Sequence, residues 1–476
     1  MKRLFPIAIF LAGCTTVGPD YRQPDTPVPA NYLEPGAAGT VDLATWWHGF
    51  GDPQLSALVE QALRQNLDIE MAAARIREAR ATEHAAGADA LPNVSAEASA
   101  TRQRISENAI PAPPGSGQQG GAFGLPGSEF TTWRVGFDAS WELDLFGRNV
   151  REREAAGART GAALWNRHDA EVTVAAEVAS AYLRLRTLQA RVANAQAELA
   201  RQKRLDEIIA ARVRGGLVDG QNLQAQRADR AAAAAAIAPL QAQAKAEIHA
   251  LGVLTGSTPE ALAAQLSAAA SLPVPPAIPV GLPSDLLRRR PDIRAAEREL
   301  AAATADIGVA VADLYPRISL TAAPALVSTA LGSLLDWGSR SFSAGAALDW
   351  PLFDGGRRRA NIEARNARQE QAMIAYRKAI LTALQDVEDA LARVDAGRRQ
   401  IADLEQALAS SRRAADIART RSRGGLVAGD EPLIADGRSI KLQDQLTDAR
   451  GALARDTVAL AKALGGGWAE QQGASQ

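Results

Sequence analysis

The chain has 476 residues, a formal net charge of −1 and 22% charged residues, so it lacks the basic excess that a nucleic-acid partner would require. Aromatic residues make up only 5% and alanine fills many windows, which suits closely packed helices and coiled coils rather than one large aromatic core. A single cysteine, Cys14, excludes an intrachain disulfide.

That cysteine has a context. Lys2-Arg3 form a basic start, Leu4 to Leu11 an apolar run too short to span a bilayer, and Leu11-Ala12-Gly13-Cys14 has the form of a bacterial lipobox. Residues 1–13 are therefore read as a signal peptide and Cys14 as the lipidation site. Thr15, rather than Asp, is the pattern of lipoproteins sorted to the outer membrane. Residues 14–50 begin Pro-rich and aperiodic and are read as a lipid-anchored extended tether. The tether ends in the aromatic knot Trp46-Trp47-His48-Gly49-Phe50.

Asp52 is the expected N-cap of the next helix, with Pro53 at its first position. Leu55, Leu58, Val59, Ala62 and Leu63 carry its apolar stripe, and a second helical pattern covers Asp68 to Ala90. After Pro92 the period changes to two. Strands are predicted at about 93–105 and 130–145, separated by a Pro/Gly/Ser/Gln-rich surface loop at 106–128. In the second strand Trp133, Val135, Phe137, Ala139, Trp141, Leu143 and Leu145 share one face. Thr132, Arg134, Asp138, Ser140, Glu142 and Asp144 lie on the other. A strand of a soluble sandwich is the plainer alternative; aromatics at both ends of a polar-backed apolar face favour a lipid-facing barrel with a wet lumen.

A proline-free helical pattern then runs from about Val150 to Arg214, with Leu185, Leu188, Val192, Ala195 and Leu199 as a coiled-coil seam. Its return helix, from about Leu223 to Leu254, is predicted to break at Pro239. Together they form a long helical hairpin over 150–254 that closes a first repeat, 51–270. Arg148, Arg151 and Arg153 follow the first repeat's strand and Arg357, Arg358 and Arg359 the second's, positions that suggest contact with anionic headgroups.

The second repeat, 271–468, restates the first. Asp68 to Asp292 and Pro92 to Pro316 are both steps of 224, while the turn glycines Gly215 and Gly424 are separated by 209, the difference reflecting mainly the long 106–128 loop. Strands are expected at about 317–325 and 341–353 and a helical hairpin at 357–464, with Leu384, Val387, Leu391, Val394, Ile401, Leu404 and Leu408 in its seam. Residues 469–476 form a C-terminal tail. Duplicated order and element type make this one architecture: mainly α, with two strands and long coiled-coil helices per repeat. Four membrane strands are too few for a barrel, because an open edge in lipid leaves backbone groups unpaired. Two, three or more copies must share it.

Both hairpins turn at one motif. Arg212-Val213-Arg214-Gly215-Gly216-Leu217-Val218 returns as Arg421-Ser422-Arg423-Gly424-Gly425-Leu426-Val427, and glycine after a run of helix formers marks a helix end. Catalysis finds no support: His48, His84, His168 and His249 are scattered without metal-ligand spacing, and neither a P-loop nor a nucleophile elbow is present. No enzyme activity, cofactor or metal is expected.

The Trp46–Leu58 segment, Leu282-Pro283-Ser284-Asp285-Leu286-Leu287-Arg288-Arg289-Arg290-Pro291-Asp292-Ile293-Arg294, the closing Ala463-Leu464-Gly465-Gly466-Gly467-Trp468 and the lipobox together resemble the outer-membrane factors, the TolC-like exit ducts. Within them the resemblance is to the lipoprotein branch typified by OprM and NodT. It spans almost the whole mature chain. It implies a homotrimer with a 12-strand barrel in the outer membrane, an α-helical periplasmic tunnel, and partnership with a periplasmic adaptor (membrane fusion) protein and an inner-membrane pump. The implied function is a passive efflux channel gated at its periplasmic tip. A type I secretion duct for polypeptides and a non-conducting lipoprotein scaffold are the alternatives.

The resemblance also locates candidate residues. The gate would involve Asp219, Arg421, Arg423, Asp430, Glu431 and Asp436, since acids from several chains converging on an axis attract cations. Relatives carry an aspartate in a Leu-Asp-Ala-Gln-Arg-like run; here Leu433-Ile434-Ala435-Asp436-Gly437-Arg438 follows Pro432, with the acid displaced by one position. The adaptor would meet Arg214, Gly215, Gly216, Leu217 and Val218 together with Gly424, Gly425, Leu426 and Val427.

Overall fold

The computed structural model describes residues 16–34, 41–106 and 129–469. The signal peptide, Cys14, most of the 106–128 loop and the tail beyond 469 lie outside the described residues. No helix among those described is long and apolar enough to cross a membrane. Contacts divide the chain into two units, the first holding the described residues within Met1–Gln23, Glu78–Thr160 and Glu299–Ala372, the second Pro24–Arg77, Gly161–Arg298 and Met373–Gln476.

In the first unit, β1 (Asn93–Arg104), β2 (Glu129–Leu143), β3 (Arg317–Ser328) and β4 (Arg340–Asp349) form one antiparallel sheet in that order. The register pairs Ala96 with Phe137, Val135 with Leu326 and Leu326 with Arg340. Directly paired residues share a face, so one face collects Val94, Ala96, Ala98, Trp133, Val135, Phe137, Trp141, Leu320, Leu326, Phe342 and Leu348. It is solvent-exposed, Phe342 by 84%. Serines, threonines and charged side chains fill the opposite face. From Trp133 to Trp141 the apolar band spans about 27 Å at 3.4 Å per residue.

The duplication is visible in lengths. Helices α2 (Leu67–Ala88) and α8 (Pro291–Ala312) each have 22 residues, β1 and β3 each 12, and α3 (Arg148–Arg214) and α9 (Arg357–Arg423) each 67. At 1.5 Å per residue the long helices are about 100 Å. Both repeats fasten strand to helix alike. The indole of Trp141 donates to the Ala90 carbonyl at 3.0 Å, and that of Trp350 to the Leu314 carbonyl at 3.2 Å. Asp144 then accepts from the Val150 amide, and Asp354 from the Gly356 and Arg358 amides, supplying otherwise orphan donors at the starts of α3 and α9.

Three of the six arginines after the strands, Arg148, Arg151 and Arg358, are held by carboxylates rather than presented to headgroups, while Arg153, Arg357 and Arg359 are exposed. Arg151 is only 4% exposed and donates to Asp20 at 2.6 Å, Glu154 at 2.8 Å and the Val17 carbonyl at 3.2 Å. Arg148 pairs with Glu152 and Asp313, and Arg358 with Asp354. A buried guanidinium needs such partners, and carboxylates here also offset its unfavourable place at a helix N-terminus. Arg151 thus clasps the N-terminal segment, whose Val17 amide donates to the Phe146 carbonyl.

In the second unit a 3₁₀ helix (Leu43–Phe50) buries Trp46, Trp47 and Phe50. Asp52 accepts from the Gln54 and Leu55 amides, starting α1 (Pro53–Gln65), whose Leu55, Leu58, Val59 and Ala62 are buried at helical spacing. Each such aliphatic burial contributes on the order of 1.5–3 kcal/mol for the larger side chains. Gly466 packs where a Cβ would lie 2.8 Å from the Leu43 carbonyl oxygen and 3.0 Å from Trp46, so the closing glycines let the C-terminus lie against the knot. Arg290 of the Leu282–Arg294 stretch reaches Asp292, Asp386 and the Ala463 carbonyl. The chain between α5 and α8 also holds the short helices α6 (Pro259–Leu266) and α7 (Leu286–Arg289).

The return of the first hairpin is two helices, α4 (Gly220–Ala235) and α5 (Ile237–Leu254), broken at Ala236 rather than at Pro239. A proline ring obstructs the carbonyl four residues earlier, here that of Ala235, so the interruption falls upstream of the proline itself. The second return, α10 (Glu431–Ala463), is continuous, its proline sitting in the first turn. Gln226 and Arg230 join α4 to α3 through Gln202 and Asp206; Arg191 and Asn194 join α3 to α10 through Asp444 and Thr447; Arg412 and Ser411 join α9 to α10 through Gln443 and Ser439. Among the described residues these bonds order the row α4/α5, α3, α10, α9, with α4/α5 and α9 as its outer members.

On α9 the buried residues Tyr376, Ile380, Ala383, Val387, Ala390 or Leu391, and Val394 step by three and four, then Leu408, Ser411 and Ala415 resume the same register, so that Val387, Leu391, Val394 and Leu408 of the expected seam are buried. The expected Leu384 is half-buried beside the seam and Ala383 occupies it. Small residues bring the facing backbone close: Gly397 lies against Leu453 of α10.

Candidate gate and docking surface at the hairpin tips

Each tip is built by one device. At the end of α3 the Gly216 amide donates to the Val213 carbonyl and the Leu217 amide to the Arg212 carbonyl at 2.9 Å; at the end of α9 Gly425 donates to Ser422 and Leu426 to Arg421, again at 2.9 Å. This paired pattern is the Schellman motif, and it requires a left-handed residue. Gly216 (φ +66°) and Gly425 (φ +71°) supply it. Gly215 and Gly424 do not take positive φ, and a Cβ on either would approach nothing closer than 3.6 Å. The turn demands only the second glycine of each pair.

The tips display apolar side chains to solvent, Leu217 by 76% and Leu426 by 73%. Arg214, Gly215, Gly216, Gly424 and Gly425 are exposed around them, with Val218 and Val427 half-buried. Arg421 and Arg423 are exposed in the last turn of α9, where cations complement the helix dipole.

The two loops differ. The first hairpin turns through 215–219 and the second through 424–430, so the second carries Gly429 and Asp430 in excess. Asp219 accepts from the Gln221 amide at 3.2 Å as the N-cap of α4. Asp430 makes no cap bond; it accepts two hydrogen bonds from the Arg212 guanidinium, at 2.8 and 3.0 Å. Here the first hairpin is tied to the second. Asp436 accepts from Arg419 at 2.5 Å, and Arg419 also reaches Asp416. Glu431 is exposed at the first position of α10.

Arg201 is not among the residues the sequence singles out, and Arg212 enters there only as part of the turn motif. Arg201 donates to the Leu433 carbonyl and to Glu198. Desolvation would raise the Glu198 carboxyl, but the hydrogen bonds from Arg201 and Gln202 and the Arg201 charge outweigh it and hold that carboxyl below its usual range. A cleft of about 490 Å³ is lined by Arg201, Arg204, Arg412, Asp416, Arg419 and Asp436. Sequence gives one usable signal, the arginine preceding each glycine turn; the partner of Arg212, in the loop of the other hairpin 218 positions away, leaves none.

Among the described residues no group of His, Cys, Asp and Glu could hold a metal ion. His48 faces Glu60, and His168 contacts Glu171 and the Trp468 ring.

A family model described as outer membrane efflux protein matches residues 58–257 and 282–466. The pyoverdine export outer membrane protein OpmQ of Pseudomonas aeruginosa is 32% identical over 443 residues, covering 93% of this chain and 91% of that protein. Nodulation protein T of Rhizobium leguminosarum bv. viciae is 32% identical over 487 residues, covering 98% and 94%. Among solved structures, the outer-membrane channel OprN superposes with a TM-score of 0.85 at 34% identity, over 95% of this chain and 99% of that one.

Proposed function

Because the chain belongs to the outer membrane efflux protein family, we propose that three copies close into one duct, a 12-strand barrel continued by a helical tunnel. Members of the family are outer-membrane channels of tripartite efflux systems rather than enzymes, and this protein is one of them. The observation that carries the trimer is the pair of free edges. β1 and β4 are the outer strands of the sheet, and α4/α5 and α9 the outer helices of the row. In hydrocarbon each unpaired backbone group costs several kcal/mol, so β4 of one copy must pair with β1 of the next. Two copies would give eight strands, a lumen that side chains fill; twelve leave an aqueous path.

The repeats 51–270 and 271–468 are the units of this wall, each giving two strands and one helical hairpin. Cys14 carries the lipid. Val17, three positions further on, is bonded to Phe146 just past β2. At the hairpin tips the exposed leucines and the two small first glycines, Gly215 and Gly424, form the surface on which a periplasmic adaptor docks, linking the duct to an inner-membrane pump. The Arg212–Asp430 and Arg419–Asp436 pairs hold the tip narrow. Asp219, Glu431, Arg421 and Arg423 stay exposed to tune what enters. Cargo passes down its gradient as small molecules.

Single-channel recording in planar bilayers tests the duct. Discrete conductance steps are expected once the tip pairs are neutralised, and a complete lack of conductance in those variants would leave only a scaffold.

A further inference from the structure

We propose that Leu33, held on the flank of α9 by Glu388, is a peg by which one copy of this chain docks on the α2–α5 edge of the next. The proposal rests on the reading that several copies close one duct, and adds to it a seam between helices. Residues 24–34 reach α9 as an irregular strap. The Glu388 carboxylate accepts from the Leu33 amide at 2.8 Å and from the Glu34 amide at 3.2 Å, charge-assisted bonds that fix the backbone at both residues. Tyr32 beside them is half-buried. Leu33 itself is 93% exposed. A leucine with a pinned backbone and a side chain left in water has already given up part of the freedom that docking would cost it.

Glu388 also ends a row of exposed apolar residues. Ile374 and Leu381 are 56% and 68% exposed and precede it by two heptads and one. At 100° per residue the three lie along one flank of α9, rotated by roughly 100–140° from the buried seam at Val387. Leu33 extends this apolar flank at the level where the helix itself carries a carboxylate. The other end of the helical row presents a matching patch. Leu67 and Met71, one turn apart on α2, are 64% and 47% exposed, and Val253 in the last turn of α5 is 69% exposed. The Asn66 side chain donates to the Leu254 carbonyl at 2.8 Å, which sets the start of α2 on the end of α5. The levels agree. Val253 stands 33 residues beyond Gly220 at the first tip, Glu388 stands 35 residues before Arg423 at the second, and the Arg212–Asp430 bonds hold those tips together. At 1.5 Å per residue the two patches differ in height by about 3 Å. Because α4/α5 and α9 are opposite ends of one row, a single copy cannot bring its own patches together. A second copy can, through a heterologous contact that repeats around a ring. The occupant is therefore another copy of this chain, with Leu33 and Leu381 of one against Leu67, Met71 and Val253 of the next.

The test uses the full-length purified protein in mild detergent, with the number of chains read by native mass spectrometry. Leu33→Cys combined with Met71→Cys and treated with a short bis-maleimide should give covalent two- and three-chain species on a denaturing gel. Neither single variant should do so, nor should Leu33→Cys combined with Leu217→Cys at the tip. Leu33→Asp and Glu388→Ala should each speed dissociation of the three-chain species in denaturing detergent by about tenfold or more, and the two together should add little because they remove one device. Leu33→Met, which keeps the apolar volume, should dissociate at the parental rate. A three-chain species that yields only single-chain bands from the Leu33→Cys, Met71→Cys protein, or that dissociates at the parental rate with Leu33→Asp, overturns the peg and leaves the duct standing. A protein that is a single chain by native mass spectrometry overturns the duct reading and the peg with it.

Discussion

Replacing Arg212 by alanine should loosen the tip. The guanidinium makes two bonds to Asp430, at 2.8 and 3.0 Å, with the side chains 27% and 21% exposed. Exposed pairs contribute about 0.2–1 kcal/mol, whereas breaking a buried pair costs about 3–5 kcal/mol. A half-buried bidentate pair falls between, at about 1.5 kcal/mol. If three copies part together, the closed tip loses about 4.5 kcal/mol, a shift of roughly a thousandfold in the open-to-closed ratio at 1.4 kcal/mol per decade. Open probability in planar bilayers reads this directly. Asp430→Ala should match Arg212→Ala, the double variant should add little, and the exchanged pair Arg212→Asp with Asp430→Arg should recover much of the closure. Arg421→Ala, at an exposed side chain with no ion pair among the described residues, is the control. Unchanged open probability in Arg212→Ala, or equal opening in Arg421→Ala, would refute the latch.

Three other outcomes follow from local chemistry. Gly216→Ala or Gly425→Ala should each destabilise the tip by about 1–2 kcal/mol through the left-handed backbone, while Gly215→Ala and Gly424→Ala should be neutral or slightly stabilising, as hydrogen exchange at the tip amides would report. Desolvation, together with the nearby Asp292 charge, raises the Asp169 carboxyl above its usual range. Its charged form is then disfavoured in the fold, a penalty that grows as pH rises through the ordinary carboxylate range. Asp169→Asn should accordingly raise Tm at pH 7 and lose that gain below about pH 4. Arg151→Ala should free the Val17–Asp20 segment from its clasp, giving earlier proteolytic cleavage there with little change near β4.

What could be read from sequence was what local chemistry writes down. Asp52-Pro53 announces a helix start because cap and ring act within four residues. Alternation along 133–143 survives because every second side chain meets a different solvent. The duplicated turn was legible for the same reason, although the chain alone did not distinguish the glycine that turns it from the one that does not. Relations across the chain were hidden. Arg212 and Asp430 belong to different hairpins, and the two residues that lengthen the second loop create their meeting. On α9 Val387, Leu391, Val394 and Leu408 are buried as the periodicity predicts, and only at Leu384 does a neighbour, Ala383, take the buried place, because alanine packs a close seam as well as leucine does. Arg151 read as a headgroup contact because its acidic partner Asp20 lies in a segment that looked like a free tether.

The central claim is that the free strand edges of three chains pair with one another. Native mass spectrometry of the purified, lipidated protein released from detergent tests it most directly. The account predicts a single species of three chains, lost when prolines are placed along β4 to block pairing at that edge. A stable single chain with its sheet intact would contradict it.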